Sequence, residues 1–130
     1  MLLVIDTNII VNAIKSPNPQ AKSVMLLRDV FCGIHKMCIS TKIIEEYEDV
    51  LKRAELQLSP QKVDRFLAWI KLNAFWIEPR PTTKDQVSMR DEDDRIFFDV
   101  AKCLNAKLVT RNYKDYPVHE LITLIDEIYP

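Results

Sequence analysis

The first apolar run of the chain shows no alternation with polar residues. Residues 2–5 read LLVI, and such an uninterrupted run is typical of a strand that is covered on both faces in a parallel sheet. Further short segments with strand character predict strands at residues 36–40, 75–77, 107–110 and 121–125.

The intervening segments carry helical periodicity and helix boundary residues. They predict helices at residues 8–14, 20–32, 41–54, 60–73 and 94–104. Thr41 can cap the third helix, Gly33 can end the second, and Pro60 suits the first position of the fourth. Because strands that alternate with helices form βα units, we expect a single α/β domain over residues 1–130, with a mostly parallel sheet flanked by helices.

The charge and the glycine content narrow the possible functions. The net charge is −1 with 28% charged residues, so the chain as a whole lacks the basic character of a strong nucleic-acid binder. A polyanion would have to be bound through a local patch or through metal ions. The one glycine, Gly33, excludes glycine-rich phosphate loops.

The cysteine and histidine residues do not suggest a catalytic or metal-binding site. Three cysteines without C-x-x-C spacing favour neither a disulfide framework nor a thiolate zinc site, and we expect them to be small buried residues. His35 and His119 are isolated, and we expect both at the surface. With no apolar run of membrane-spanning length, we expect a soluble, cytoplasmic protein.

Acidic residues follow two of the predicted strands. Asp6 comes directly after the first strand, and Asp115 lies in the turn after the strand at 107–110. The carboxyl ends of adjacent parallel strands meet at one edge of the sheet, which is the usual place for an active site in such folds. We therefore expect these two carboxylates to lie near each other.

Helical periodicity places two further acids near this edge. Glu46 borders the apolar face of the helix at 41–54. Asp94 falls inside the broad apolar arc of the helix at 94–104, where a carboxylate is costly without a partner such as a metal, a cation or the helix N-terminus. The polar side of that helix carries the residues that we expect to be solvated: Arg95, Asp99 and Lys102.

Carboxylates crowded at one edge predict a particular chemistry. They repel one another, which raises their proton affinity and leaves a site that a hard divalent cation can satisfy. Oxygen ligands without histidine or cysteine favour Mg²⁺ or Mn²⁺ over zinc. Such ions bind substrate phosphates and can supply hydroxide, so metal-assisted phosphodiester hydrolysis best suits an acidic pocket in a near-neutral protein.

Four segments are spread in order over essentially the whole chain: LLVIDTNIIVNAI, STKIIEEYEDVL, DEDDRIFFDVA and KLVTRNYKDY. Together they resemble the PIN-domain family of metal-dependent nucleases, which includes the VapC-like toxins of toxin–antitoxin pairs. The resemblance implies a three-layer α/β/α fold. It also implies an RNA substrate cut by an Mg²⁺-activated water, a cognate antitoxin that restrains the activity, and a homodimer.

The resemblance also implies roles for individual residues. The catalytic metal ligands that it implies are Asp6, Glu46 and Asp94. The residues that it implies orient carboxylates or water are Thr7, Asn8, Thr110 and Asn112. Many family members place Asp directly after the Thr-Arg pair, where this chain has Asn112, so we expect Asp115 to take the role of the fourth acidic ligand, and the number of ions stays open. The basic residues expected to contact phosphates are Arg111, Lys114 and Arg90.

Simpler interpretations of each acid stay open. Asp6 can cap the helix that follows it, Glu46 can be an exposed helix residue, and the acids at 91–94 can complement a helix dipole. One alternative function is a non-catalytic PIN-like module that binds nucleic acid or protein, which Asn112 and the lack of basic charge favour. Another is a phosphatase that attacks through Asp6, but phosphatases of the haloacid-dehalogenase type carry a second Asp two residues later, where this chain has Asn8.

Overall fold

The first strand of the chain, β1 (Leu2–Ile5), is the centre of a five-stranded sheet. The structure is a computed structural model that describes residues 1–130. The other strands are β2 (Lys36–Ile39), β3 (Phe75–Trp76), β4 (Lys107–Thr110) and β5 (Ile122–Leu124). Their order is β3-β2-β1-β4-β5, and every pairing is parallel. The predicted parallel sheet is confirmed, and every predicted strand is present.

Six helices flank the sheet. They are α1 (Thr7–Lys15), α2 (Lys22–Phe31), α3 (Thr41–Leu51), α4 (Pro60–Asn73), α5 (Arg95–Leu104) and α6 (Ile125–Ile128), with 3₁₀ turns at Ala54–Leu56, Glu92–Asp94 and Tyr113–Asp115. Helix α5 packs on β1, β2 and β4, whereas α3 contacts α1, α4 and α5. The expected α/β/α arrangement is confirmed. None of the helices is both long enough and apolar enough to cross a membrane.

The starts of α3 and α4 are set by serine caps. Ser40 Oγ accepts a hydrogen bond from Ile43 N at 3.2 Å, so Ser40 caps α3 and the expectation that Thr41 does so is wrong. The physical reason is that Ser40 has the extended backbone of a cap residue, whereas Thr41 already lies in the helix. Ser59 caps α4, and Pro60 occupies its first turn as predicted.

The carboxyl end of β1 is tied to two helices. The last three residues of β1 are fully buried, as expected of a central strand. The Tyr47 hydroxyl, on α3, donates to the Ile5 carbonyl oxygen at 2.5 Å. The Tyr47 ring lies 6.2 Å from the ring of Phe97 on α5. Both helices therefore pack around the point where the chain leaves β1 and reaches Asp6.

Two expectations about exposure are wrong at the other end of the sheet. His35 is buried, because its Nε2 atom lies 3.3 Å from the Tyr129 hydroxyl, which in turn donates to Asp29 at 2.5 Å. Two of the three cysteines, Cys32 and Cys103, are exposed rather than buried.

Arg95 and Asp99 are buried rather than solvated, with exposures of 9% and 7%. The Arg95 guanidinium donates to the Glu92 carboxylate at 2.7 and 3.0 Å. It also donates to Thr82 Oγ1 at 2.8 Å and to the Val87 carbonyl oxygen at 2.9 Å. The Asp99 carboxylate accepts a hydrogen bond from Thr82 N at 2.9 Å. This network fixes the long segment between β3 and α5 to the helix, because its buried polar groups are paired with one another.

We expect Arg95→Ala to lower the free energy of unfolding by about 2–3 kcal/mol, because it removes the charged donor to the Thr82 hydroxyl and to the Val87 carbonyl. Arg90→Ala is the matched control, since Arg90 is exposed, and it should change stability by less than about 0.5 kcal/mol. Urea denaturation measures both values. Equal losses in the two variants would contradict a structural role for Arg95.

Candidate active site

Asp6 lies at the carboxyl end of β1 and is 7% exposed. Its backbone N–H donates to the Val109 carbonyl at 3.0 Å, which holds the residue against β4. One carboxylate oxygen accepts a hydrogen bond from Asn8 N at 3.5 Å, and the other accepts one from Thr110 Oγ1 at 3.1 Å. The interpretation of Asp6 as a helix cap is therefore confirmed, and the same residue is a buried carboxylate at the edge of the sheet.

The turn after β4 forms the facing wall. Thr110 Oγ1 donates to Asp6 and accepts a hydrogen bond from Asn112 N at 3.3 Å. Asn112 Oδ1 accepts from Lys114 N at 3.0 Å, so this oxygen is engaged in capping the 3₁₀ turn that follows. Asp115 ends that turn and is half-buried.

A cavity of about 450 Å³ opens between the ends of β1 and β4. The predicted site residues in its wall are Asp6, Asn8, Thr110, Arg111, Asn112 and Asp115. Arg111 is its one basic residue, so the cavity combines two carboxylates with one guanidinium. Lys114 and Arg90 are exposed and do not line it.

Glu46 and Asp94 are both half-buried, on α3 and on the turn before α5. The sequence predicts Asp94 as the first residue of the helix at 94–104, but α5 begins one residue later, at Arg95. Asp94 is the last residue of the 3₁₀ turn Glu92–Asp94. Its side chain makes no capping hydrogen bond. The preceding turn is capped instead by Asp91, whose Oδ1 accepts from Asp93 N at 3.0 Å. The Asp94 carboxylate is thus left without a role in capping.

The four predicted acidic ligands act on one another electrostatically. Burial raises the pKa of Asp94 to about 7, together with the negative charges of Asp6, Asp91, Asp115 and Glu46. These acids therefore share one environment even though they come from separate parts of the chain.

The pKa values of the other two shifted carboxylates rise for the same reasons. Burial is the main cause of the raised pKa of Asp6, which the hydrogen bond from Thr110 opposes and the charge of Asp115 reinforces. The pKa of Glu46 is also raised mainly by burial; the charge of Arg53 opposes this rise, and the charges of Asp49, Asp93 and Asp6 add to it.

The donor set fits a hard divalent cation in its chemistry. Four carboxylates lie near this edge beside the Arg111 guanidinium, and Mg²⁺ and Mn²⁺ prefer carboxylate oxygens. Two buried hydroxyl oxygens, Thr7 Oγ1 and Tyr116 Oη, have no hydrogen-bond partner; a bound cation with its waters would pair such groups and relieve the repulsion. As the side chains stand, no three of the acidic, histidine or cysteine side chains are close enough to hold one ion. Shared coordination therefore requires the half-buried Glu46 and Asp94 to rotate toward Asp6.

Tyr116 is a residue of the site that no sequence pattern identifies. The residue is 2% exposed, and its hydroxyl lies beside the Asp6 carboxylate, where it helps to lower the pKa of Asp6. The hydroxyl nevertheless makes no hydrogen bond of acceptable length and angle. The available signal is weak: an aromatic residue with a polar tip directly follows Asp115.

The raised pKa of Asp94 predicts a cost in stability that depends on pH. Its folded-state value of about 7 lies above the unfolded value of about 3.9, so the folded state loses stability as the pH rises between them. Asp94→Asn removes the charge. We expect the metal-free variant to be more stable than the wild type at pH 8, by on the order of 1 kcal/mol once solvent screening is allowed for.

Urea denaturation in the presence of a chelator tests this expectation at pH 8 and at pH 4, where the advantage of the variant should disappear. Asp64→Asn, which changes an exposed residue on α4, is the matched control. A variant at Asp94 that is less stable than the wild type at pH 8 would contradict the raised pKa of the Asp94 carboxylate.

The fold is shared with two solved structures of low sequence identity. One is VapBC2 from Rickettsia felis, bound to a DNA fragment from their promoter, with a TM-score of 0.61 and 20% identity over 95% of this chain and 97% of the matched chain. The other is FitAcB from Neisseria gonorrhoeae, with a TM-score of 0.51 and 16% identity over 87% of this chain and 88% of the matched chain. At these identities the likeness shows a common fold.

Sequence comparison gives a more specific result. A search of curated proteins finds no match. A family model of the PIN domain, however, matches residues 2–114, which include all four segments that carry the resemblance except the last two residues of the fourth, Asp115 and Tyr116. Because the match extends over most of the chain and the fold agrees with it, this protein belongs to the PIN domain family.

Proposed function

We propose that this protein is a metal-dependent endoribonuclease, in which Asp6, Glu46 and Asp94 bind Mg²⁺ or Mn²⁺ with Asp115 as a further ligand. The observation that carries the proposal is the buried Asp6 at the end of β1, in a cavity that it shares with the turn after β4. The charge of Asp115 raises the pKa of Asp6, and the charge of Asp6 raises the pKa values of Glu46 and Asp94. Membership of the PIN domain family supports the same class of reaction.

The residues around the carboxylates prepare the site for a cation. When bound, the metal would supply hydroxide from a coordinated water and neutralise charge on the phosphate. Thr110 and the Asn8 N–H hold the two oxygens of Asp6. The buried Thr7 hydroxyl makes no hydrogen bond within the protein. Asn112 stands where many family members have an aspartate. It caps the turn that carries Asp115 and so helps to position the Asp115 carboxylate.

We propose RNA as the substrate, and Arg111 as the main contact to its phosphates. Arg111 is the basic residue in the wall of the cavity, whereas Lys114 and Arg90 are exposed outside it and would contact phosphates further along the strand. With a net charge of −1, the chain has no general attraction for a polyanion, so binding depends on these side chains and on the cation.

A non-catalytic PIN-like binding module is the second candidate. Two observations favour it. No three acidic side chains, as they stand, are close enough to hold one ion. The side-chain oxygen of Asn112 adds no negative charge and is already engaged in a cap.

Calorimetric titration with Mn²⁺ separates the two candidates. We expect the wild type to take up Mn²⁺, and Asp94→Asn to weaken the affinity by about tenfold or more, because it removes one of the converging carboxylates. Asp64→Asn should bind like the wild type, since Asp64 lies on the exposed face of α4. Cleavage of a labelled RNA should require the ion and should be lost in Asp94→Asn. Uptake that does not depend on Asp94 would favour the non-catalytic module.

We further propose that the protein is the toxin of a toxin–antitoxin pair and forms a homodimer. VapBC2, whose fold it shares, was solved on promoter DNA, and by analogy the partner of this protein is a small DNA-binding antitoxin. The surface offers apolar side chains for such contacts: Phe31, Ile34, Leu72, Phe75 and Trp76 are exposed.

The proposed antitoxin partner can be tested by examining the gene next to the one that encodes this protein. A short upstream gene for a small DNA-binding protein is expected, and its product, when coexpressed, should co-elute with this protein and suppress RNA cleavage. Light scattering of the isolated protein should give twice the mass of one chain. A neighbouring product that neither binds nor inhibits would contradict the toxin assignment and would leave the nuclease proposal unaffected.

A further inference from the structure

Two buried tyrosine hydroxyls lie near Asp6, and they differ in one respect. The Tyr47 hydroxyl donates to the Ile5 carbonyl oxygen at 2.5 Å. The Tyr116 hydroxyl has no hydrogen-bond partner, although the residue is 2% exposed and its oxygen is shielded from water. Only the first of the two hydroxyls therefore contributes a hydrogen bond to the protein as it stands.

An unpaired buried hydroxyl is unfavourable. A phenol oxygen removed from water without a compensating hydrogen bond destabilises the folded state relative to a phenylalanine of the same shape. The Tyr116 ring fills the core as a phenylalanine ring would, so the oxygen adds nothing to packing. A favourable contribution from the Tyr116 hydroxyl therefore requires a hydrogen-bond partner that it gains when the site binds a ligand. The polar group beside this hydroxyl is the Asp6 carboxylate.

The Asp6 carboxylate is incompletely held by its present donors. Thr110 donates to one oxygen at 3.1 Å, whereas the contact of the other oxygen with Asn8 N is 3.5 Å, at the limit of a hydrogen bond. A metal-binding carboxylate is usually fixed by further hydrogen bonds, which orient the oxygen that faces the ion. Asp6 therefore has room for one more donor.

We infer that Tyr116 is a positioning residue for Asp6, and that its hydroxyl becomes the third donor to this carboxylate when the site binds a divalent cation. The inference rests on the proposed function and adds a residue to its site. The placement of Tyr116 is set by the turn after β4, because its backbone N–H donates to the Tyr113 carbonyl at 3.1 Å. The same turn carries Asp115, so one piece of backbone positions a carboxylate and the donor that orients another.

The test compares the same substitution at two buried tyrosines. Tyr116→Phe should leave the melting temperature of the metal-free protein unchanged or slightly higher, because it removes an unpaired hydroxyl. Tyr47→Phe should lower it by several degrees, because the Ile5 carbonyl loses its donor. In Mn²⁺ titrations, Tyr116→Phe should weaken the affinity by about tenfold, and in RNA cleavage it should lower kcat more than it raises KM.

Three outcomes decide the matter. If Tyr116→Phe binds Mn²⁺ as tightly as a wild type that does bind it, the inference is overturned while the proposed function stands. If Tyr116→Phe lowers the melting temperature as much as Tyr47→Phe and leaves the Mn²⁺ affinity unchanged, the hydroxyl has a structural role only and the inference is likewise overturned. A wild type that takes up no Mn²⁺ overturns the inference together with the proposed metal site.

Discussion

The parallel pairing of β1 with β4 is the constraint on which the candidate site depends. The register sets Ile5 opposite Val109, and the Asp6 N–H continues the pairing by donating to the Val109 carbonyl. Thr110 thereby comes within 3.1 Å of Asp6 although 104 residues separate them. A slip of one residue in this register would turn every side chain of the shifted strand to the other face of the sheet. The relation between the two strand ends is thus fixed by backbone hydrogen bonds, before any side chain contributes.

The fold and the position of Asp6 could be predicted because both depend on local pattern. An uninterrupted apolar run specifies a strand covered on both faces, and the next residue then stands at its carboxyl end wherever the other elements lie. Asp94 could be placed near the same edge because α5 is apolar around most of its circumference, so that a carboxylate at its start is half-buried. The chemical role of each acid cannot be predicted in the same way, because the pattern of apolar and polar residues does not specify which groups a carboxylate binds.

Contacts between distant segments could not be predicted in this way. Helical periodicity treats a charged residue as an exposed one, yet Arg95 and Asp99 are buried because Thr82 pairs with them from 13 and 17 residues away. His35 is buried for a similar reason, since its contact is 94 residues distant. For Asn112 the family resemblance implies a side chain that orients carboxylates or water, whereas the local geometry of the turn engages its oxygen with a backbone N–H. Such pairings leave no periodic trace in the sequence.

The hydrogen bonds of the Arg95 guanidinium affect how well the fold tolerates insertions and deletions. The guanidinium donates hydrogen bonds to Thr82 and Val87 in the segment between β3 and α5, and so divides one long loop into shorter loops. Closure entropy grows only slowly with the length of a span. Insertions or deletions between β3 and this anchor can therefore reshape that part of the surface while the helix start, and the acid next to it, keep their place.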